Sequence, residues 1–121
     1  MAVANVLTTA GAGWIVDQLD AVAGSRYIGW GTGGTTAAVG NTALTTEASE
    51  ARVVAAETQP TSVQLVYTAT QIADANKTIN EAGLFSASAA GTMILSATFT
   101  GVAVLSASAY LMIFTTSYAD A

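Results

Sequence analysis

The chain has 121 residues, a formal net charge of −5 and charged residues at only 9% of its positions. Soluble domains carry about 25% charged residues on average, so this sequence predicts a surface that neighbouring molecules partly cover. The three cations, Arg26, Arg52 and Lys77, are too few to displace counterions from a nucleic acid, so direct DNA or RNA binding is not expected. The sequence contains no cysteine or histidine, which excludes disulfides, thiolate chemistry, the usual zinc sites and acid–base catalysis by histidine.

The length predicts a single domain over residues 1–121, with an N-terminal arm and helix over 1–24 and a β-sandwich over 25–121. The first residues include no basic region, so they do not read as a signal peptide. No charged residue occurs between Ala82 and Ala119, a length that would allow a membrane span. Ser, Thr and Gly interrupt this segment every few residues, so it predicts strands instead of a membrane helix.

The first predicted element is a helix near residues 10–22. Thr8 or Thr9 can cap its first turn by accepting a backbone N–H, and apolar residues recur at helical spacing after it. Gly24 suits the left-handed position that follows a helix end. A strand over 27–30 comes next, followed by a glycine loop over 31–34.

The rest of the chain predicts short strands joined by turn signals. Counting the strand at 27–30, there are six to eight, covering residues 50–59, 62–72, 78–86, 92–100, 101–105 and 110–117. One helical turn, capped by Asn41 or Thr42, is predicted to run through Glu47. Pro60 cannot donate a ladder hydrogen bond and is expected in a connection, while residues 74–77 and 88–91 read as turns. We therefore expect a mainly β fold: one antiparallel β-sandwich or jelly-roll-like domain with a short N-terminal helix.

The run R-Y-I-G-W-G-T-G-G-T-T at residues 26–36 contains a formal G-x-G-x-x-G match, formed by Gly29, Gly31 and Gly34. In a dinucleotide-binding loop the third glycine opens a long helix within a βαβ unit, and in a Walker A loop a lysine follows the glycines. Here T-T-A-A-V-G-N-T follows, without a helical apolar period or a lysine. The run therefore predicts the end of a strand and a tight loop, and no nucleotide cofactor is expected.

Three acidic residues are candidates for chemistry, and each has a simpler structural interpretation. Asp17 and Asp20 could share a helix face and bind a cation weakly, but the simpler interpretation is a polar face exposed to solvent. Glu81 lies in an apolar strand context, where a buried carboxylate can be catalytic. Because no base or nucleophile accompanies it, we expect Glu81 to form a structural pair with Arg26 or Arg52. No catalytic, cofactor or metal site is predicted, and an enzyme is not expected.

The aromatic residues are predicted to pack in the core or against other subunits. They are Trp14, Trp30, Tyr67, Phe99 and Tyr110.

Several short segments follow one another in a recognisable order. They are N-V-L-T-T-A-G at 5–11, Y-I-G-W-G-T-G at 27–33, N-T-A-L-T-T-E at 41–47 ahead of E-A-R-V-V at 50–54, I-N-E-A-G-L-F-S-A at 79–87 and G-T-M-I-L-S-A-T-F at 91–99. This order resembles a widespread group of small tailed-bacteriophage virion proteins, across roughly residues 5–114. The sequence departs from that group at Trp30, where a smaller residue is expected, and in the low charge of its last strands.

The resemblance implies a virion structural protein, either on the head or in a tail, tail-fibre or collar. The chain has no coiled coil or fibrous repeat for a long fibre, so we expect a decoration (cement) protein on the capsid exterior, made in the host cytoplasm. Its expected partners are the major capsid protein and copies of itself, as a dimer or trimer, without nucleic acid, membrane or small-molecule substrate. The N-terminal arm and exposed strand edges would bind by strand addition, with multivalent contacts raising avidity.

Overall fold

The computed structural model describes residues 8–21 and 25–117, and the fold is mainly β. The elements are α1 (Thr9–Ala21), β1 (Tyr27–Gly31), β2 (Val53–Val54), β3 (Ala56–Thr61), β4 (Gln64–Ile72), β5 (Lys77–Phe85), β6 (Met93–Val104) and β7 (Ala109–Ser117). The predicted helix is confirmed, and the hydroxyl of Thr8 caps it by accepting the Gly11 N–H at 2.9 Å. The predicted arm before Thr8, and Val22 to Gly24 after the helix, lie outside the described residues.

The strands form two antiparallel sheets. One has the strand order β2-β1-β5-β6 and the other the order β3-β4-β7. The side chains of β4 alternate between buried and more exposed positions, as expected for a strand with one face on a core. Between the sheets, Ile28, Leu84 and Leu65 pack with Val16 of α1 in a first buried cluster. This arrangement confirms the expected sandwich of antiparallel sheets.

A second buried cluster lies further along the same interior. It contains Trp30 of β1, Ile79 and Ala82 of β5, and Val104 at the end of β6. Met112 and Phe114 of β7 pack against both clusters. β6 and β7 are each the edge strand of their sheet. On the side where they meet, these two edge strands are the cover of this cluster.

The predicted helical turn through Glu47 is wrong. Residues 39–46 form turns and a bend, and Glu47 makes an isolated antiparallel bridge with Gly31. The backbone N–H groups of Thr45 and Thr46 donate to the carboxylate of Glu81, each at 2.8 Å. These donors bind a distant side chain, so the segment gains its hydrogen bonds from the tertiary fold and not from a local helix.

Three strand boundaries also differ from the prediction. The strand predicted at 50–59 is split into β2 and β3, because the chain passes from one sheet to the other at Ala55. Pro60 lies inside β3, where an edge position with a register shift tolerates the missing N–H. Residues 101–104 continue β6, because a bulge opposite Asn80 absorbs the extra residues of the longer strand.

Candidate functional site

The glycine loop after β1 surrounds a carboxylate that belongs to the chain itself. Glu81 is 3% exposed, and its Oε2 accepts the N–H of Gly33 and of Thr46, each at 2.8 Å. Its Oε1 accepts the N–H of Thr45, also at 2.8 Å. Backbone amides of a glycine-rich loop are suited to an anion, and here that anion is the Glu81 side chain. Glu81 therefore holds the loop in place through these hydrogen bonds, and the predicted pairing with Arg26 or Arg52 is wrong.

Gly31 at the end of β1 and Gly33 in the following loop are required by the close approach of this segment to Glu81. A Cβ on Gly31 would lie 2.7 Å from Glu81 Oε2, and one on Gly33 would lie 2.6 Å from the Cβ of Thr45. Gly34 has nothing within 4 Å of the corresponding position. The loop therefore needs glycine where it covers Glu81, while the third glycine of the formal motif has no such requirement.

Arg52 joins the same loop to the hairpin between β5 and β6. Its Nε and NH2 donate to the two oxygens of Glu47 at 2.8 and 2.9 Å, while NH1 donates to the carbonyls of Ala87 and Ala90 at 3.0 and 2.9 Å. The guanidinium also lies 3.5 Å from the ring centroid of Phe85, a cation–π geometry. We call the contacts of Glu81 and Arg52 together the loop anchor. It brings four of the ordered sequence segments into contact, which gives them a shared structural role.

A smaller charged cluster lies beside the second buried cluster. Lys77 Nζ is 2.8 Å from Glu50 Oε2 and 2.7 Å from Asp74 Oδ1, and the indole N–H of Trp30 donates to Glu50 Oε1 at 3.0 Å. Burial works to raise the pKa of Glu50, but hydrogen bonds from Lys77, the Asp74 N–H and Trp30 outweigh it and hold the pKa below its ordinary value. Hydrogen bonds to Asp74 and then to Glu50 raise the pKa of Lys77. The cluster thus satisfies the one polar atom of the otherwise apolar Trp30.

An exposed apolar groove lies between the edge strands β6 and β7, and we call it the β6–β7 groove. Its floor consists of Trp30 and Ile79, and it comprises two hollows of about 330 and 170 Å³. Its walls come from Phe99 and Val102 of β6 and from residues 110–115 of β7. None of the described residues that line it is charged. Such a surface is suited to contact with an apolar surface of a partner.

The structure brings together three of the five predicted aromatic contact residues. Trp30, Phe99 and Tyr110 all line the β6–β7 groove, with the Trp30 and Tyr110 rings tilted at 53° and their centroids 5.9 Å apart. Tyr67 is buried in the first cluster, and Trp14 is 66% exposed on α1. Of these five aromatic residues, Trp30 and Tyr67 are buried, while Phe99 is 40% exposed at the groove wall.

Sequence reasoning did not single out the exposed apolar residues of β7. Leu111 is 63% exposed and Ile113 is 57% exposed. The signal that could have found them is the uncharged stretch from Ala82 to Ala119, because an ordinary outward-facing strand would alternate apolar with charged or polar residues.

Within residues 8–21 and 25–117, no three acidic side chains are placed to hold a metal ion. Asp17 instead accepts a hydrogen bond from Gln59 Nε2 at 3.0 Å, and the side chain of Asp20 lies outside what the structure describes. The one described helix, α1, is too short to cross a membrane. No family model, characterised protein sequence or solved structure matches this chain.

Proposed function

We propose that this protein is a non-enzymatic virion structural protein of a tailed phage, and more specifically a decoration (cement) protein. In this role it binds the outer surface of the head and joins neighbouring capsid subunits. The β6–β7 groove is the observation that carries the proposal, because a compact domain with an uncharged apolar groove is suited to being covered by other proteins. The order of motifs supports the virion setting.

The groove offers an interface whose energy comes from burying apolar surface. Phe99, Val102, Leu111 and Ile113 are each between 40% and 63% exposed. Covering apolar surface contributes about 25 cal/mol per Å², and no charged side chain in the lining has to lose its hydration. One groove gives a modest affinity, and many copies on a shell add through multivalency.

The loop anchor supports the groove by fixing the strands beneath it. Glu81 lies on β5 between Ile79 and Ala82, which both line the groove. The backbone N–H groups that donate to Glu81 hold the loop after β1 against these strands, on the face opposite the groove. A groove floor that is already fixed loses little conformational freedom when a partner binds, which favours affinity.

The proposal is tested with phage lacking the gene for this chain, from which heads and tails are purified separately. Fluorescently labelled protein is added to each fraction. We expect saturable binding to heads, and decorated heads should retain their DNA at temperatures where bare heads release it. Protein that binds tails and leaves heads bare would overturn the cement role in favour of a tail, tail-fibre or collar protein.

A matched pair of variants tests whether the groove is the contact surface. Phe99 in the groove and Ile94 outside it lie on the same strand and are 40% and 45% exposed. Phe99→Asp should abolish head binding, while Ile94→Asp should bind like the wild type. Both variants are checked by thermal unfolding so that only folded protein is compared. Equal binding by the two would show that the groove does not face the capsid.

A further inference from the structure

The two sheets have four edges, and three of them carry a feature that discourages pairing with another strand. β2 has only two residues, and β3 contains Pro60 and a register shift. β6 has two register shifts along its pairing with β5, one of them next to Gly101. Short length, proline and bulges are the usual ways in which proteins protect a sheet edge.

The fourth edge, β7, has none of these features. Its nine residues pair with β4 in continuous register from Ala109 to Ser117. The strand contains no proline, glycine or charged residue, and its neighbour β4 is also uncharged. Among the described residues no strand pairs with its outer side. A long, uncharged edge in continuous register is a template for adding another strand.

We propose that the outer edge of β7 pairs with β7 of a second copy of this chain. Antiparallel pairing about a two-fold axis would join the two three-stranded sheets into one six-stranded sheet. The absence of charge along β7 is what makes a copy of itself a suitable partner, because no like charges are brought face to face.

The register of the pair follows from the geometry of the strand. Directly opposite residues in an antiparallel pair point to the same face. In a symmetric pair, one residue must therefore lie opposite its own copy, and the two-fold axis passes between these two residues. Full overlap of Ala109–Ser117 with its copy places the axis at Ile113, the middle residue. Leu111 then lies opposite Thr115 of the second copy on the outer face, and Met112 lies opposite Phe114 on the inner face. Such a ladder adds roughly eight to ten backbone hydrogen bonds.

This inference concerns the self-association expected from the sequence, and its test does not depend on where the protein sits in a virion. Purified protein is sufficient, so a failure to bind heads and a failure to dimerise are separate results.

Cysteine cross-linking tests the predicted register directly, because the chain has no cysteine of its own. Ile113→Cys places two thiols opposite each other at the axis. Ile72→Cys is the control, since Ile72 is 58% exposed and Ile113 is 57% exposed, both in the same sheet. In the proposed dimer the two copies of residue 72 are roughly 30 Å apart. A short bismaleimide should convert I113C to covalent dimer and leave I72C as monomer, and equal reaction of both would overturn the register.

Sedimentation of the uncross-linked protein measures the association itself. The wild type should sediment at twice its 12.1 kDa chain mass. Ile113→Lys places like charges opposite each other at the axis and should weaken dimerisation about tenfold, while Ile72→Lys should not. Melting curves of both variants show whether they are folded. A monomeric or trimeric wild type, or unchanged dimerisation of a folded I113K variant, would overturn the proposal.

Discussion

Replacing Glu81 with glutamine removes the charge at the centre of the loop anchor while keeping the shape of the side chain. The glutamine oxygen can take the place of Oε2 and still accept from Gly33 and Thr46, but as a neutral acceptor it loses about 1 kcal/mol on each bond. Its amide then faces the N–H of Thr45, which is left without an acceptor at a cost of about 1–3 kcal/mol. Easier burial of a neutral group offsets part of this loss. We expect a net destabilisation of about 2–4 kcal/mol.

For a chain of this length, that loss lowers the melting temperature by about 8–16 °C. Thermal unfolding followed by circular dichroism measures it. Asp17→Asn is the control, because it makes the same carboxylate-to-amide change at an exposed site that accepts one bond, from Gln59. Its melting temperature should change by less than about 2 °C. If Glu81→Gln melted as close to the wild type as the control does, the buried hydrogen bonds would not be what fixes the loop.

Three further predictions concern the loop and the charged cluster. Gly33→Ala should destabilise the fold by about 1–3 kcal/mol, because its Cβ would overlap Glu81 and Thr45. Gly34→Ala is the control and should leave the melting temperature almost unchanged, and equal melting temperatures for the two variants would contradict the close approach at Gly33. Arg52→Lys should lower the urea unfolding free energy by about 1–3 kcal/mol, since lysine cannot reproduce the bidentate pair with Glu47 and the two carbonyl contacts. Because the pKa of Glu50 is lowered in the folded state, its stabilising contribution is present above its ordinary value of 4.5 and is lost as the pH falls through the folded value. In melting curves measured over a pH series, Lys77→Gln should reduce the loss of melting temperature at acid pH. An unchanged loss would show that other carboxylates cause it.

Local patterns were sufficient for most of the regular elements. The alternation of β4, the apolar spacing of α1 and the turn residues after β5 are short-range signals, and the structure confirms them. The predicted helical turn near Glu47 failed because its amides bind Glu81, about 35 residues further along the chain. A local rule has no access to a hydrogen-bond partner so distant in sequence.

The candidate site was predicted only in part, for a similar reason. The aromatic residues Trp30, Phe99 and Tyr110 were named as contacts, but their spacing in the sequence does not show that they line one groove. Their proximity depends on β6 and β7 ending two different sheets next to each other. The exposure of Leu111 and Ile113 follows from their place on the outward face of β7, and Ile72 on the central strand β4 is equally exposed at 58%.

The sequence by itself determined that this is a small, weakly charged, mainly β chain that contains no cysteine or histidine. Composition and hydrophobic period are properties of the residues alone, so no coordinates were needed for these conclusions. The tertiary structure decided what the glycine loop binds and which strand edges stay open. Both depend on contacts between distant segments: the loop after β1 closes on Glu81, and two sheets end side by side at β6 and β7. The glycine run is therefore the cover of a buried carboxylate, because only the folded chain brings Glu81 beneath it.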